Sequence, residues 1–438
     1  MRDLAMMVGF LAMLAPMFRH PHVGVLVWCW TAMVVPTYFV FGFMSPVPFN
    51  KVAAAMTLTA WLISREPKRI PLTSTMVLLA VFGVLGTVSA FAGIANSDLA
   101  MTEWSKFAKI MVFVFVVVGL ITTKSRIDAL LYAIYVSLGF HGVLEGAKFV
   151  MSAGGHQVYG PPSSIINDNN HFALAMVATL PIVLYLYRQT EHRLVRLALL
   201  GSSLLVMLSI MGTYSRGGLI GIAAVGAFAL MRSENKGKYL LAVLPVAVLG
   251  LIVAPDRWFN RMDTLGEVGM DESFMTRVVA WKLSALIAMD HPVLGGGFHA
   301  VQDFDIWRSY SAFFDRLSFI ATPPPSTIRS HAAHSIYFQV LGDLGFLGLT
   351  VFIAILVSSW RNAKAIIRSA GDRPEWRWAR DLATSLQYTL VAYIVSGASL
   401  SMAYFEFIYM IFAVLVVMRQ MVGEPVVAKR WTQALRAA

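Results

Sequence analysis

The chain has 438 residues, of which 58% are hydrophobic and 13% are charged, and its mean hydropathy is +0.67. These values exclude a soluble globular fold of this length, because so many apolar side chains would have no interior to occupy in water. The net charge of +11 does not indicate a nucleic-acid partner, since Lys and Arg fall mostly in short clusters between apolar runs. The sequence therefore predicts an integral membrane protein.

Apolar stretches of the length that crosses a bilayer as a helix recur along the chain and alternate with short polar loops. The alternating pattern of a barrel strand is absent, so the predicted fold class is all-α and polytopic. The stretches lie at residues 4–18, 22–41, 47–63, 75–95, 106–121, 127–150, 171–187, 194–211, 217–231, 239–254, 335–358 and 384–419, the last long enough for two crossings.

Basic loops orient these spans, because Lys and Arg are retained on the cytoplasmic side. With the first stretch too short for a span of its own, the count is about twelve transmembrane helices with both termini inside. Thirteen crossings with an outward N-terminus are the alternative. The loops that set this orientation contain Arg65, Lys68 and Arg69; Lys124 and Arg126; Arg188, Arg193 and Arg196; Arg232, Lys236 and Lys238; and Arg361 through Arg380.

The chain divides into four predicted parts. Residues 1–254 form an N-terminal transmembrane bundle, and its opening "MRDLAMMVGFLAML" is interpreted as a retained anchor rather than a signal peptide. Residues 255–333 form a long periplasmic loop, too long for an ordinary connection, with an amphipathic helix from near Ser273 to Pro292. Residues 334–420 form the C-terminal transmembrane helices, and residues 421–438 a cytoplasmic tail. The single cysteine, Cys29, excludes an intramolecular disulfide.

Two arginines at the outward face are candidates for binding an anion. Arg216 in "GTYSRGG" begins a span, where an arginine is expensive without a partner, and its guanidinium offers a bidentate fork to phosphate. A snorkelling interfacial arginine is the alternative interpretation. Arg277 lies on the predicted loop helix, one turn before Trp281, and projects from a face anchored by apolar neighbours.

His331 and His334 in "SHAAHSIYFQVLGDLGFLGL" are three residues apart and share one face if the helix already begins there. A neutral imidazole at the membrane surface serves as a general base, whereas the alternative is a pair of capping histidines. The spacing also fits zinc, but no third ligand is apparent. Asp343 faces the opposite side of an uninterrupted helix and is expected to pair with another helix, while a stripe of glycines, Gly342, Gly345 and Gly348, permits close packing.

Three other patterns are given structural interpretations. Asp303 and Asp305 have the spacing of a metal and nucleotide-sugar site, but such pairs are common by chance. Glu145 and Lys148 are expected to neutralise each other within a span rather than relay protons. "IINDNNHF" is expected to cap the span that follows it, although its amides, Asn170 among them, also suit a sugar.

These motifs together resemble the O-antigen ligase and polymerase superfamily. "AHSIYFQVLGDLGFLGL", "TRVVAWKLSALIAMDHPVLGGGF", "YSRGGLIG" and "NDNNHFAL" follow the order of that family's segments. "RHPHVGVLVWCWTAMVVP" is similar to the branch described as O-glycosylation ligases associated with exosortase systems. Asp343 stands where the family more often has Glu, and the polar spacing before His334 is very short.

The resemblance implies a GT-C-like, multi-spanning and inverting glycosyltransferase of the bacterial inner membrane that needs neither a metal nor another cofactor. Its donor is a glycan on undecaprenyl diphosphate, and its acceptor is a hydroxyl of lipid A-core at the periplasmic face. His334 is the expected base, and Arg216, Arg277 and Arg261 are expected to bind the diphosphate. Candidates for contacting the glycan or supporting the site are His331, Arg329, Asn170 and Asp343.

Other functions fit the same residues. A polymerase of repeat units or a protein O-glycosylation ligase would use the same histidine and arginines with a different acceptor. A transporter of lipid-linked glycan would need paired ionisable groups at mid-membrane and repeat symmetry, whereas the candidates here gather on one face. A scaffold for an envelope complex would tolerate alanine at His334 and Arg277.

Overall fold

The computed structural model describes residues 1–95, 97–237, 241, 244 and 272–434, with side chains described up to residue 423 in the last segment. Within these ranges the regular structure is helical. The helices are α1 (Arg2–Arg19), α2 (Pro21–Val34), α3 (Phe49–Ile63), α4 (Ser74–Ala92), α5 (Asp98–Leu120), α6 (Lys124–Met151), α7 (Asn169–Gln189), α8 (Arg193–Gly212), α9 (Arg216–Arg232), α10 (Glu272–Asp290), α11 (Phe304–Ser311), α12 (Ile336–Ala370), α13 (Arg377–Gly397) and α14 (Glu406–Ala434).

The predicted helical membrane fold is confirmed in its general form. Six of the described helices are long and apolar enough to cross a membrane: Ser74–Ala92, Lys124–Met151, Asn169–Gln189, Arg193–Gly212, Ile336–Ala370 and the Glu406–Gly423 part of α14. α8 carries a row of exposed leucines, a surface suited to lipid rather than water: Leu194, Leu197, Leu200 and Leu204. At the centre of the bundle, all residues from 407 to 418 of α14 are buried.

Side-chain caps set where several helices begin. A hydroxyl or carboxylate just before the first helical residue accepts a backbone N–H that would otherwise lack a partner. Asp168 caps α7 in this way through Asn170 and His171, as its amide-rich segment predicts. Hydroxyl caps begin four other helices at Thr73, Ser97, Thr123 and Ser215.

The basic loops meet at one end of the bundle, here called the basic end. Arg126, in the first turn of α6, is 2.6 Å from the Glu66 carboxylate that follows α3. Tyr185, near the end of α7, donates a 2.7 Å hydrogen bond to Asp128 of α6. These contacts agree with the common side that was predicted for the basic clusters.

The opposite end, here called the loop end, carries residues 152–168 and 291–335. The backbone N–H of Val158 donates to the carbonyl of Gly212, which joins the end of α6 to the end of α8. The N-terminus also lies away from the basic end, because the Asp3 carboxylate accepts three backbone N–H groups of residues 41–44. Residues 41–44 precede α3, whose far end reaches Glu66 at the basic end, so the N-terminus lies at the loop end, as the thirteen-span alternative predicts and the twelve-span count does not.

Several predicted boundaries stay predictions. The predicted span 239–254 and much of the predicted loop, 255–271, lie outside the described residues. The helix predicted from near Ser273 to Pro292 is present as α10. Its stretch 279–288 is buried on most sides, Lys282 included, so it packs as an interior helix rather than as an amphipathic surface helix.

The prediction of an uninterrupted helix through Asp343 is wrong. Gly345 has φ +68° and ψ −170°, a backbone conformation that only glycine adopts readily, and it kinks α12 there. The glycine stripe is therefore not one packing surface. Gly342 does allow close approach of α10, since a Cβ there would lie 3.1 Å from the Ser284 hydroxyl. Gly345 instead makes room for the segment 291–297.

Candidate functional site at the loop end

His334 lies in an extended segment just before α12 and not on a helix. α12 begins at Ile336, and Ser335 before it has an extended backbone with φ −161°, so the prediction that His331 and His334 share a helix face is wrong. His334 itself has φ +44°, and its backbone N–H donates a 2.9 Å hydrogen bond to the hydroxyl of Ser401. The residue is thus held by its backbone to the turn between α13 and α14.

The imidazole of His334 is neutral at physiological pH. Its pKa is lowered to about 4, mainly by burial and next by the positive charge of Arg277. His171 contributes in the same direction, whereas the carboxylate of Asp168 opposes the shift. A neutral ring has one nitrogen free to accept a proton, which is the state that a general base requires.

α10 brings Arg277 to His334 through its neighbour Trp281. The indole Nε1 donates a 2.5 Å hydrogen bond to the carbonyl of Ala333, the residue before His334. The Trp281 ring also stacks on Phe338 of α12, with ring centroids 5.0 Å apart and planes 5° from parallel. Because Trp281 is one helical turn from Arg277, this anchor holds the part of α10 that carries Arg277 beside the segment that carries His334.

A backbone connection at the other end of α10 completes this positioning. The N–H groups of Gly296 and Gly297 donate to the carbonyls of Gly342 and Asp343, at 2.8 and 2.9 Å. The N–H of Phe346, exposed by the kink at Gly345, donates to the carbonyl of Pro292 at 2.9 Å. This segment, 291–297 against 342–346, is called the glycine lock below.

Arg216 lies at the N-terminus of α9, which is joined to the N-terminus of α7. The hydroxyl of Ser215 donates a 2.8 Å hydrogen bond to Oδ1 of Asn170, and Nδ2 of Asn169 donates to the carbonyl of Thr213 at 2.8 Å. α9 also contacts the end of α13 and the turn that holds His334, because the Ser396 hydroxyl of α13 donates to the carbonyl of Gly217, and a Cβ on Gly217 would lie 3.1 Å from the hydroxyl of Ser399 in that turn. The N-termini of α7, α9 and α12 therefore meet at one place, where their dipoles favour an anion.

The other predicted site residues are placed differently. Asp343 is 2% exposed and accepts a 3.1 Å hydrogen bond from the hydroxyl of Tyr404, which fits the expected pairing with another element. His331 packs against the ring of Trp307, and Arg329 is exposed beside it. Arg261 lies outside the described residues.

Three residues at the site were not singled out from the sequence: His171, Trp281 as a hydrogen-bond donor, and Ser401. His171 follows two asparagines in the "NDNNHF" segment, and a histidine within such a cluster of amides is the sequence feature that points to it. Trp281, one turn after Arg277, indicates only apolar packing of the helix. Ser401 offers no signal at all, because a serine in a turn is common and its bond to His334 joins residues far apart in sequence.

The remaining motifs have structural roles. Asp303 caps α11 by accepting the backbone N–H groups of Asp305 and Ile306. Glu145 pairs with Lys148 at 2.6 Å, as expected, and its second oxygen is 2.7 Å from the ring of His156. Neither group needs a substrate to account for it.

Two family models match this chain. Residues 1–191 match a family of unknown function (DUF5935), and residues 197–353 match the family described as O-antigen ligase. A comparison with curated proteins finds no match. Arg216, Arg277 and His334 fall within the second matched segment, and Asn170 and His171 within the first.

Proposed function

Since residues 197–353 place this chain in the O-antigen ligase superfamily, we propose that it transfers a glycan from undecaprenyl diphosphate to a sugar hydroxyl of lipid A-core. The loop end would face the periplasm, where both lipid-borne substrates are accessible. One observation carries the proposal, namely that His334, held at the loop end by the hydrogen bond from its backbone N–H to Ser401, lies within electrostatic range of Arg277. A base beside a fixed positive charge suits a reaction that removes a proton and releases an anion.

The chemistry assigns a role to each group. His334 takes the proton of the acceptor hydroxyl as its oxygen attacks the anomeric carbon. The bond to the diphosphate oxygen breaks on the opposite face, so a single displacement inverts the anomeric configuration. Arg277 and Arg216, with the N-terminus of α9, stabilise the negative charge that develops on the leaving diphosphate.

The first test is a transfer assay with the purified full-length chain in lipid nanodiscs. The assay supplies undecaprenyl-diphosphate glycan and lipid A-core, with and without a metal chelator. Transfer of single chains to lipid A-core in chelator is the expected result. Lengthening of the donor chain without transfer would indicate a polymerase, and transfer only to an added protein would indicate an O-glycosylation ligase.

The pH dependence of transfer is expected to show little loss on acidification from pH 8 to about pH 5. His334 is the base only when neutral, and with a pKa of about 4 it stays neutral across that range. The measurement is kcat/KM against pH, which reports groups of the free enzyme. An acid limb near the ordinary histidine value of 6.5 would contradict this assignment. Bound diphosphate, being anionic, should move the acid limb of kcat to higher pH than that of kcat/KM.

Replacement of Arg277 is expected to have two effects of known sign. Arg277→Ala should lower kcat/KM for the donor by about 10- to 1,000-fold, because the charge that stabilises the leaving diphosphate is lost. It should also raise the pKa of His334, since the Arg277 charge lowers it. Arg277→Lys should restore the pKa but only part of the rate, because lysine lacks the bidentate fork. An unchanged rate in both variants would remove Arg277 from the site.

A further inference from the structure

His171 is a partly buried histidine whose ring nitrogens make no hydrogen bond to the described residues. It is the third residue of α7, and both ring nitrogens are shielded from solvent without a hydrogen-bond partner among the described residues. The carbonyl of Ile165 lies near the ring but outside hydrogen-bonding geometry. Buried polar atoms without a partner lower the stability of a fold, so the two ring nitrogens of His171 need an explanation.

The surroundings of His171 belong to the site already described. Asp168, three residues earlier, caps the same helix and faces His334. A Cβ on Gly218 of α9 would lie 2.8 Å from Ala173 of α7, so the two helix starts are in close contact. Asn170, the residue before His171, holds Ser215 through its side chain. His171 is therefore enclosed between the helix that carries Arg216 and the segment that carries His334.

We propose that His171 is a positioning residue for the base: in the reacting state its free ring nitrogen accepts the ring N–H of His334. This inference rests on the proposed function, which makes His334 the base. The hydrogen bond selects the tautomer of His334 whose other nitrogen faces the acceptor hydroxyl. The hydrogen bond forms as the substrates bind, since catalytic hydrogen bonds are often long or poorly aligned in the free protein and tighten in the complex.

Each proton that moves in the proposed reaction passes through His334. The acceptor hydroxyl loses its proton to the free nitrogen of His334, and its oxygen forms the new glycosidic bond as the bond to diphosphate breaks. His334 is then a cation that keeps its N–H bond to His171, and it later returns the proton to solvent. The titratable and charged groups that act on the pKa of His334 are Arg277, Asp168, His331 and His171 itself.

The direction in which the pKa of His334 changes when His171 is replaced distinguishes a hydrogen-bond acceptor from a residue that acts only through its charge. If His171 acts on His334 only as a second positive charge, its removal raises the pKa of His334. If His171 accepts the N–H of protonated His334, its removal lowers that pKa, because the protonated form loses a hydrogen bond. The two interpretations predict opposite results for the same variant.

The test compares His171→Phe with His171→Gln, which keeps an acceptor, in the full-length chain. We expect His171→Phe to lower kcat about 10- to 100-fold with little change in KM, and His171→Gln to recover part of the loss. The matched control is His141→Phe. His141 is also buried with an unpartnered Nε2, but it lies in α6 against Phe39, and its replacement should leave kcat unchanged.

A second readout does not depend on turnover. The rate at which diethyl pyrocarbonate modifies His334, followed on its peptide by mass spectrometry over a pH series with undecaprenyl-diphosphate glycan and lipid A-core bound, reports the pKa of His334 in the state that the proposal concerns. A lower pKa in His171→Phe than in the wild-type chain supports the proposal, and an unchanged or higher pKa overturns it. An unchanged kcat in a folded His171→Phe variant overturns it as well.

Failure of this inference is distinguishable from failure of the proposed function. If the wild-type chain transfers glycan and His171→Phe is fully active, only the role of His171 is wrong. If the wild-type chain transfers to none of the acceptors, the proposed function is wrong, and the inference about His171 fails with it.

Discussion

Replacement of His334 by asparagine is expected to lower glycan transfer by about 100- to 10,000-fold, because it removes the general base. Asparagine is the sharpest substitution here, since the residue has φ +44° and asparagine tolerates the left-handed region better than alanine does. The variant also keeps the backbone N–H that binds Ser401. The measurement is single-turnover transfer with donor and acceptor at saturation.

The matched control for His334 is His331→Asn. His331 lies three residues earlier and packs on Trp307, so its loss should change the rate far less. Donor binding should survive in His334→Asn, because the arginines are intact. Retained transfer by a folded His334→Asn variant would remove the base from the mechanism, and an equal loss in both variants would point to a general disturbance of residues 330–335.

Replacement of Gly345 by alanine is expected to be the most destabilising single change at the glycine lock. The combination of φ +68° and ψ −170° is strained for any residue with a Cβ, by about 1–3 kcal/mol. The new Cβ would also lie 2.6 Å from the carbonyl oxygen of Pro292, closer than such atoms pack. Loss of the lock should separate α10 from α12 and so displace Arg277 from His334. We expect a lower midpoint of thermal unfolding and a lower transfer rate in the same variant.

Gly201→Ala is the control for Gly345→Ala. Gly201 lies in α8, and a Cβ there would meet nothing within 4 Å. Alanine is the better helix former, so this change should leave the unfolding midpoint unchanged or raised. A Gly345→Ala protein as stable and as active as Gly201→Ala would mean that α12 closes its kink without loss, and that the glycine lock does not position the site.

The helical architecture follows closely from the sequence, for a physical reason. In a membrane each backbone polar group must be satisfied within its own segment, so long apolar stretches become helices whatever surrounds them. Two helix ends also follow from local signals. Asp168 caps the start of α7, and Pro292 follows directly after the end of α10.

The kink at Gly345 could not be predicted in this way. A glycine inside an apolar run fits an ordinary packed helix, and only the backbone of residues 291–297, about fifty positions earlier, makes the break favourable. The same holds for Ser401, which binds His334 from the far side of two helices. Hydrogen bonds between distant segments carry no periodicity that a single stretch of sequence displays.

By itself the sequence determined that this protein is a helical membrane protein, that Asp168 caps the start of α7, and that Arg216, Arg277 and His334 are the residues to examine. Hydropathy and capping act over one or two turns, and they are legible in each segment alone. Only the tertiary structure decided that His334 precedes its helix, that burial keeps its imidazole neutral, that Asp343 binds Tyr404, and that His171 acts on the pKa of His334. These properties depend on which side chains and carbonyls come together from separate helices, because burial and electrostatic fields are set by packing across the whole bundle.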